Sequence, residues 1–86
     1  MPVISRFYGI VITMFFNEHN PPHFHAKYEG QIAAFEIKTR RLIAGDLPPR
    51  AKGLVRQWTS LHERELLNNW DKARRSGNLK TIEPLS

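Results

Sequence analysis

Three of the four histidines fall within seven residues, in the stretch Asn17-Glu18-His19-Asn20-Pro21-Pro22-His23-Phe24-His25. Imidazole titrates near neutrality and is the commonest protein metal ligand, so this spacing points to two chemistries. The first is metal binding. His23 and His25, at i and i+2 on a strand, place both rings on one face. His19, from a proline-stiffened loop, supplies a third nitrogen, and Glu18 or Glu36 a carboxylate ligand or an acceptor behind the ligands. The expected cofactor is a divalent ion held by His19, His23, His25 and Glu36, with an open position suited to hydrolysis. The second is metal-free acid–base catalysis on RNA, with His23, His25 and His19 supplying the base and acid for attack of a 2′-hydroxyl on phosphate. Arg6, Lys27, Arg40 or Arg41 would neutralise the phosphate oxygens, and Tyr8, Tyr28 or an exposed Phe would stack a base. A third reading involves no chemistry: a rigid Asn-Pro-Pro-His turn whose side chains tie down loop carbonyls and support a partner-binding edge.

The elements that must position these rings follow from residue periodicity. Val3 to Phe16 is rich in β-branched and aromatic residues and apolar on both alternating sets, which predicts one interior strand, with Gly9 marking a bulge or a close backbone approach. Asn17 to Pro22 reads as a loop, with Asn20-Pro21 open to either isomer. His23 to Tyr28 alternates, Glu29-Gly30 reads as a hairpin turn, and Gln31 to Lys38 is the partner strand. A two- or four-residue connection places Phe24 opposite Phe35, Ala26 opposite Ala33, His25 opposite Ala34 and His23 opposite Glu36. Phe24, Ala26, Ala33, Phe35 and Ile37 are then the core face, and the histidines point away from it. Thr39-Arg40 is a second turn, Arg41 to Ala44 a short strand, and Leu47-Pro48-Pro49 the start of a helix.

Residues 48–75 are helical in pattern. Leu54, Val55, Trp58, Leu61 and His62 form one apolar stripe, and Leu66, Leu67, Trp70 and Ala73 a second, rotated from the first. The offset predicts a kink or two helices meeting near His62-Glu63. Ser76-Gly77-Asn78 ends the helical region, and Leu79, Ile82 and Leu85 pack back from a short tail. Strands first and helices after give an α+β domain spanning 1–86: a small antiparallel β-meander of three to four strands, followed by two helices or one kinked helix packed on one face. Trp58 and Trp70 read as core or interface anchors, and His62 as a packed helix residue.

Composition narrows the function classes. The 86 residues contain no cysteine, which excludes disulfides and thiolate zinc sites. No apolar run reaches the ~20 residues of a membrane span, and the N-terminal residues lack a signal-peptide pattern, so the expectation is a soluble cytoplasmic protein with no membrane partner. The net charge is +5, and it is uneven: residues 1–46 hold five Lys/Arg against four Asp/Glu, and residues 47–86 eight against four. Such a balance suits an anionic partner, either nucleic acid or an acidic protein surface, or else a solvated helical face carrying Arg50, Lys52, Arg56, Lys72, Arg74 and Arg75.

Several stretches together resemble a known family. Ile4-Ser5-Arg6-Phe7-Tyr8-Gly9, His19-Asn20-Pro21-Pro22-His23-Phe24-His25-Ala26, Leu47-Pro48, Trp58-Thr59-Ser60-Leu61-His62 and Glu65-Leu66-Leu67-Asn68-Asn69-Trp70 are similar to the small prokaryotic proteins grouped as domain of unknown function 4160. The resemblance runs nearly end to end. It implies a short protein, often encoded beside another small protein in an arrangement similar to a toxin–antitoxin pair, and it supplies no active-site assignment. Lys38-Thr39-Arg40-Arg41 is more basic than the resemblance leads one to expect, which favours an anionic partner. The functional expectation is an RNA-interacting component of such a pair, with His19, His23 and His25 as its site. The alternatives are a divalent-metal-binding protein or metal-dependent hydrolase using the same histidines, and a non-catalytic interaction module bound to the neighbouring protein.

Overall fold

The computed structural model describes residues 2–15, 19–75 and 77–86. Five strands precede two helices: β1 (Val3–Phe7), β2 (Ile10–Thr13), β3 (His23–Tyr28), β4 (Gln31–Glu36), β5 (Leu42–Gly45), α1 (Pro49–Leu61) and α2 (Glu63–Arg75). The strands form one antiparallel sheet in chain order. The fold is therefore the expected α+β meander, with five strands rather than three to four.

The extra strand comes from the first apolar run. Val3 to Phe16, read as one interior strand, is the hairpin β1–β2 with its turn at Tyr8-Gly9. Both turn residues have positive φ, 51° at Tyr8 and 80° at Gly9. That pairing is the signature of a type I′ hairpin, whose twist matches the twist of the strands it joins. Gly9 is thus a turn residue, and the irregularity in the ladder lies between Val3 and Ser5. Phe16 is outside the described residues. The second hairpin follows the same rule at Glu29 (φ 48°) and Gly30 (φ 82°). Its register is the predicted one, with Phe24 opposite Phe35, Ala26 opposite Ala33, His25 opposite Ala34 and His23 opposite Glu36. The Thr39-Arg40 turn is present, with Arg40 at φ 63°, and the strand after it is shifted by one residue from the expected Arg41–Ala44.

One sheet face is buried under the helices. Phe7, Ile12, Phe24, Ala26, Phe35 and Ile37 form a core with Val55 and Trp58 of α1 and Leu66 and Trp70 of α2. The Trp58 ring packs against Phe7 (5.3 Å) and Phe24 (5.8 Å). Each large side chain taken wholly out of water contributes about 1.5–3 kcal/mol, so this single layer supplies most of the drive to fold. The helices meet at His62. Its N–H donates to the carbonyls of Trp58 and Thr59, and its own carbonyl accepts from Leu66. His62 thus ends α1 and opens α2, which accounts for the rotation between the two apolar stripes.

The start of α1 relies on Pro48 and Pro49, with no side-chain cap. Just before it, Lys52 donates to Asp46 at 3.1 Å and holds that exposed carboxyl below its ordinary range. The tail after α2 is strapped down at three points. Asn69 exchanges two hydrogen bonds with the backbone of Lys80, the Trp58 indole donates to the Glu83 carbonyl, and Ile82 donates to the Ile4 carbonyl on β1.

Gly45 closes β5 at φ 68°, and a Cβ there would run into the Ile32 carbonyl oxygen on β4. Gly45→Ala is expected to lose about 1–3 kcal/mol from the left-handed backbone, with the clash in addition. Urea unfolding followed by circular dichroism measures this, and an unchanged midpoint would contradict it.

Candidate functional site

The face of the sheet opposite the helices has no covering layer among the described residues. Alternation along β3 sends His23, His25 and Lys27 to this face. The strand register then writes two transverse rows across it. One row runs Val3, Thr13, His25, Ala34, Ala44 and the other Arg6, Val11, Lys27, Ile32. Arg6 and Lys27 are exposed, and neither joins an ion pair among the described residues.

At the end of β3 the histidines join a chain of rings. Phe15 meets His25 edge-on at 4.8 Å, His25 lies 5.4 Å from His23, and His23 lies 5.2 Å from Trp70 on α2. Trp70 is buried in the core, so it backs the His23 ring from below, while His23, His25 and Phe15 are half-buried. The His23 ring is further fixed by its Nδ1, which donates to the Pro21 carbonyl at 2.8 Å. In the neutral ring this leaves the lone pair on Nε2. The Asn20-Pro21 peptide bond is cis. The loop also meets α2 through Arg74, which donates to the Asn20 side-chain oxygen at 3.4 Å.

The expected site residues are only partly assembled. His23 and His25 come together, with Lys27 next along the same strand face and Arg6 across Val11. Glu36 stands directly opposite His23. His19 is exposed, and no ring contact joins it to the pair among the described residues. Among the described residues no group of three or more His, Asp or Glu side chains is placed to hold a metal ion; Glu18 lies outside them.

Arg40 serves a different purpose. Its guanidinium pairs with Glu63 on α2 at 2.8 Å, and its carbonyl accepts from Arg56 on α1, so it fastens the β4–β5 loop to both helices. Arg41 is exposed at the end of that loop. His62 is remote in role: its Nδ1 donates to Glu65 and its ring lies against Trp58. Tyr28 packs against the core, and Tyr8 is exposed at the first hairpin turn.

The residues that sequence reasoning did not place here are Phe15 and Trp70. Phe15 had a signal, since it belongs to the alternating set of Val11 and Thr13, which faces away from the core. Trp70 had none, because its position depends on the path of α2.

Among the described residues no helix is long and apolar enough to cross a membrane. No curated protein and no solved structure matches the chain. A family model described as Domain of unknown function (DUF4160) matches residues 9–71, a stretch that includes β2 to β5, all of α1 and the whole ring chain from Phe15 to Trp70, and the chain belongs to that family.

Proposed function

We propose that the chain binds single-stranded RNA over the Phe15–His25–His23 corner and cleaves it, as the RNA-interacting member of a two-protein pair of the toxin–antitoxin kind. The observation that supports this reading is the pair of imidazoles 5.4 Å apart on one sheet face, flanked by an aromatic ring and followed by Lys27. Hydrogen bonds of about 2.6–3.2 Å from two such rings can reach two oxygens of one phosphodiester group.

His23, with its lone pair on Nε2, takes the proton of the 2′-hydroxyl. The 2′-oxygen attacks phosphorus, and the bond to the 5′-oxygen breaks. His25, in its protonated form, gives its proton to that leaving oxygen. The products are a 2′,3′-cyclic phosphate and a 5′-hydroxyl, and no further reactant is consumed. Lys27 and Arg6 neutralise phosphate charge, and Phe15 offers a ring face or edge to a base.

A randomised-sequence RNA oligonucleotide tests this in chelator-containing buffer. Two phosphate contacts, from Arg6 and Lys27, give an expected slope of roughly −1.4 for log affinity against log salt. A fully 2′-O-methylated copy should bind equally and stay intact. Absence of binding at low salt would remove the reading altogether.

A further inference from the structure

Beside the ring chain, the open sheet face sinks into a trough of about 450 Å³. Its uncharged lining is Val3, Val11, Thr13, Phe15 and Ile32, with His25 beside Phe15. Ile32 is 54% exposed although it stands within β4. With half-buried Val3, Val11 and Phe15 it forms one contiguous apolar patch, the kind of surface that marks an interaction site. The charges that line the trough are Arg6 and Lys27, with no carboxylate among the lining residues.

We infer that this trough docks an amphipathic helix of a partner protein, with an aliphatic stripe flanked by Asp and Glu. Two features select that occupant. Valine and isoleucine methyl groups give a helix an apolar bed; the π faces of the lining, Phe15 and His25, adjoin each other at the ring-chain end, so a base gains little along Val11 and Ile32. Arg6 and Lys27, separated by Val11 in the next row, join no ion pair among the described residues and match carboxylates on the helix flank. The opposite sheet face is already packed by α1 and α2, and a partner helix would complete a three-layer arrangement.

A helix seated there covers Lys27 and one side of His25. It therefore excludes RNA from the corner described above, and the partner acts as an inhibitor of that site. The docking stands without the RNA activity, and only the exclusion depends on it.

A display library of helical peptides with randomised surface positions tests the docking. Enriched sequences should carry aliphatic residues at i, i+3 or i+4, and i+7, flanked by Asp or Glu. Ile32→Glu, on an exposed site where folding can be checked by its melting curve, should weaken their binding about tenfold or more. Arg6→Glu combined with Lys27→Glu should switch the enriched flanks from acidic to basic. No enrichment, enrichment that survives Ile32→Glu, or flank charges that ignore the reversal would each overturn the docking. Randomised RNA, rather than peptide, shielding the Val11 and Ile32 methyl groups in NMR spectra would overturn it too. A selected peptide that binds together with RNA would leave the docking in place and remove the exclusion.

Discussion

Replacing His25 with alanine is expected to lower RNA strand scission by about 10²–10⁴-fold while leaving RNA bound, the range for loss of a positioned acid or base. The side chain sits beside Phe15 and His23, opposite Ala34 on β4. Its truncation leaves the core on the other sheet face untouched, so folding should survive. The assigned role is proton donation to the leaving 5′-oxygen, which makes a sharper experiment available. A substrate with sulfur in place of that bridging oxygen has a leaving group that needs no proton. His25→Ala should then recover most of the lost rate on the sulfur substrate, and His23→Ala should not. Recovery in both variants or in neither would refute the division of roles. Equal scission by wild type and both variants would show that the histidines do not cut RNA.

Much of the scaffold behind this site is legible in the sequence, for local reasons. The β3–β4 hairpin depends on one short connection, and Glu29-Gly30 interrupts the apolar pattern with a polar residue and a glycine that accepts positive φ. Once that loop length is set, register follows, and register alone decides that His23 and His25 leave the core. The helix break is equally local, because the two apolar stripes cannot lie on one straight cylinder. The first hairpin is harder to see. Tyr8 takes a left-handed backbone that a tyrosine seldom adopts, no Asn or Asp marks the turn, and the apolar pattern runs across it without a gap.

Features that depend on distant elements meeting are not legible in this way. Arg40 reads as a phosphate ligand in a basic run, yet the loop that carries it lands on α2, where Glu63 takes it up. His19 is near His23 in sequence, yet among the described residues no ring contact joins them and no three-ligand metal group forms. Asn69 does carry a signal: it falls three residues after Leu66 on an otherwise apolar stripe, and a buried amide there needs a partner. The partner is the Lys80 backbone in the tail. Trp70 reads correctly as a core anchor, but its second contact, with His23, ties the histidine corner to the packing of α2.

Trp58 provides the other large effect. Its ring is fully buried, packs on Phe7 and Phe24 of the sheet and on His62 at the helix junction, and its indole N–H holds the Glu83 carbonyl at 2.8 Å. Trp58→Ala is expected to cost about 3–5 kcal/mol, the range for emptying a buried aromatic site. A chain of this size has on the order of 5–15 kcal/mol in total, so the variant should melt well below wild type or fail to fold. Trp58→Phe separates packing from the hydrogen bond. It keeps much of the ring volume and loses the N–H, so it should cost less, about 1–3 kcal/mol, from the unsatisfied carbonyl and the smaller ring. Hydrogen exchange at Ile82 should report the difference in position. In Trp58→Phe the tail amides should exchange faster while the β3 and β4 amides stay protected. Equal acceleration across sheet and tail would mean that Trp58 acts only through the core, and that its bond to Glu83 does not anchor the strap.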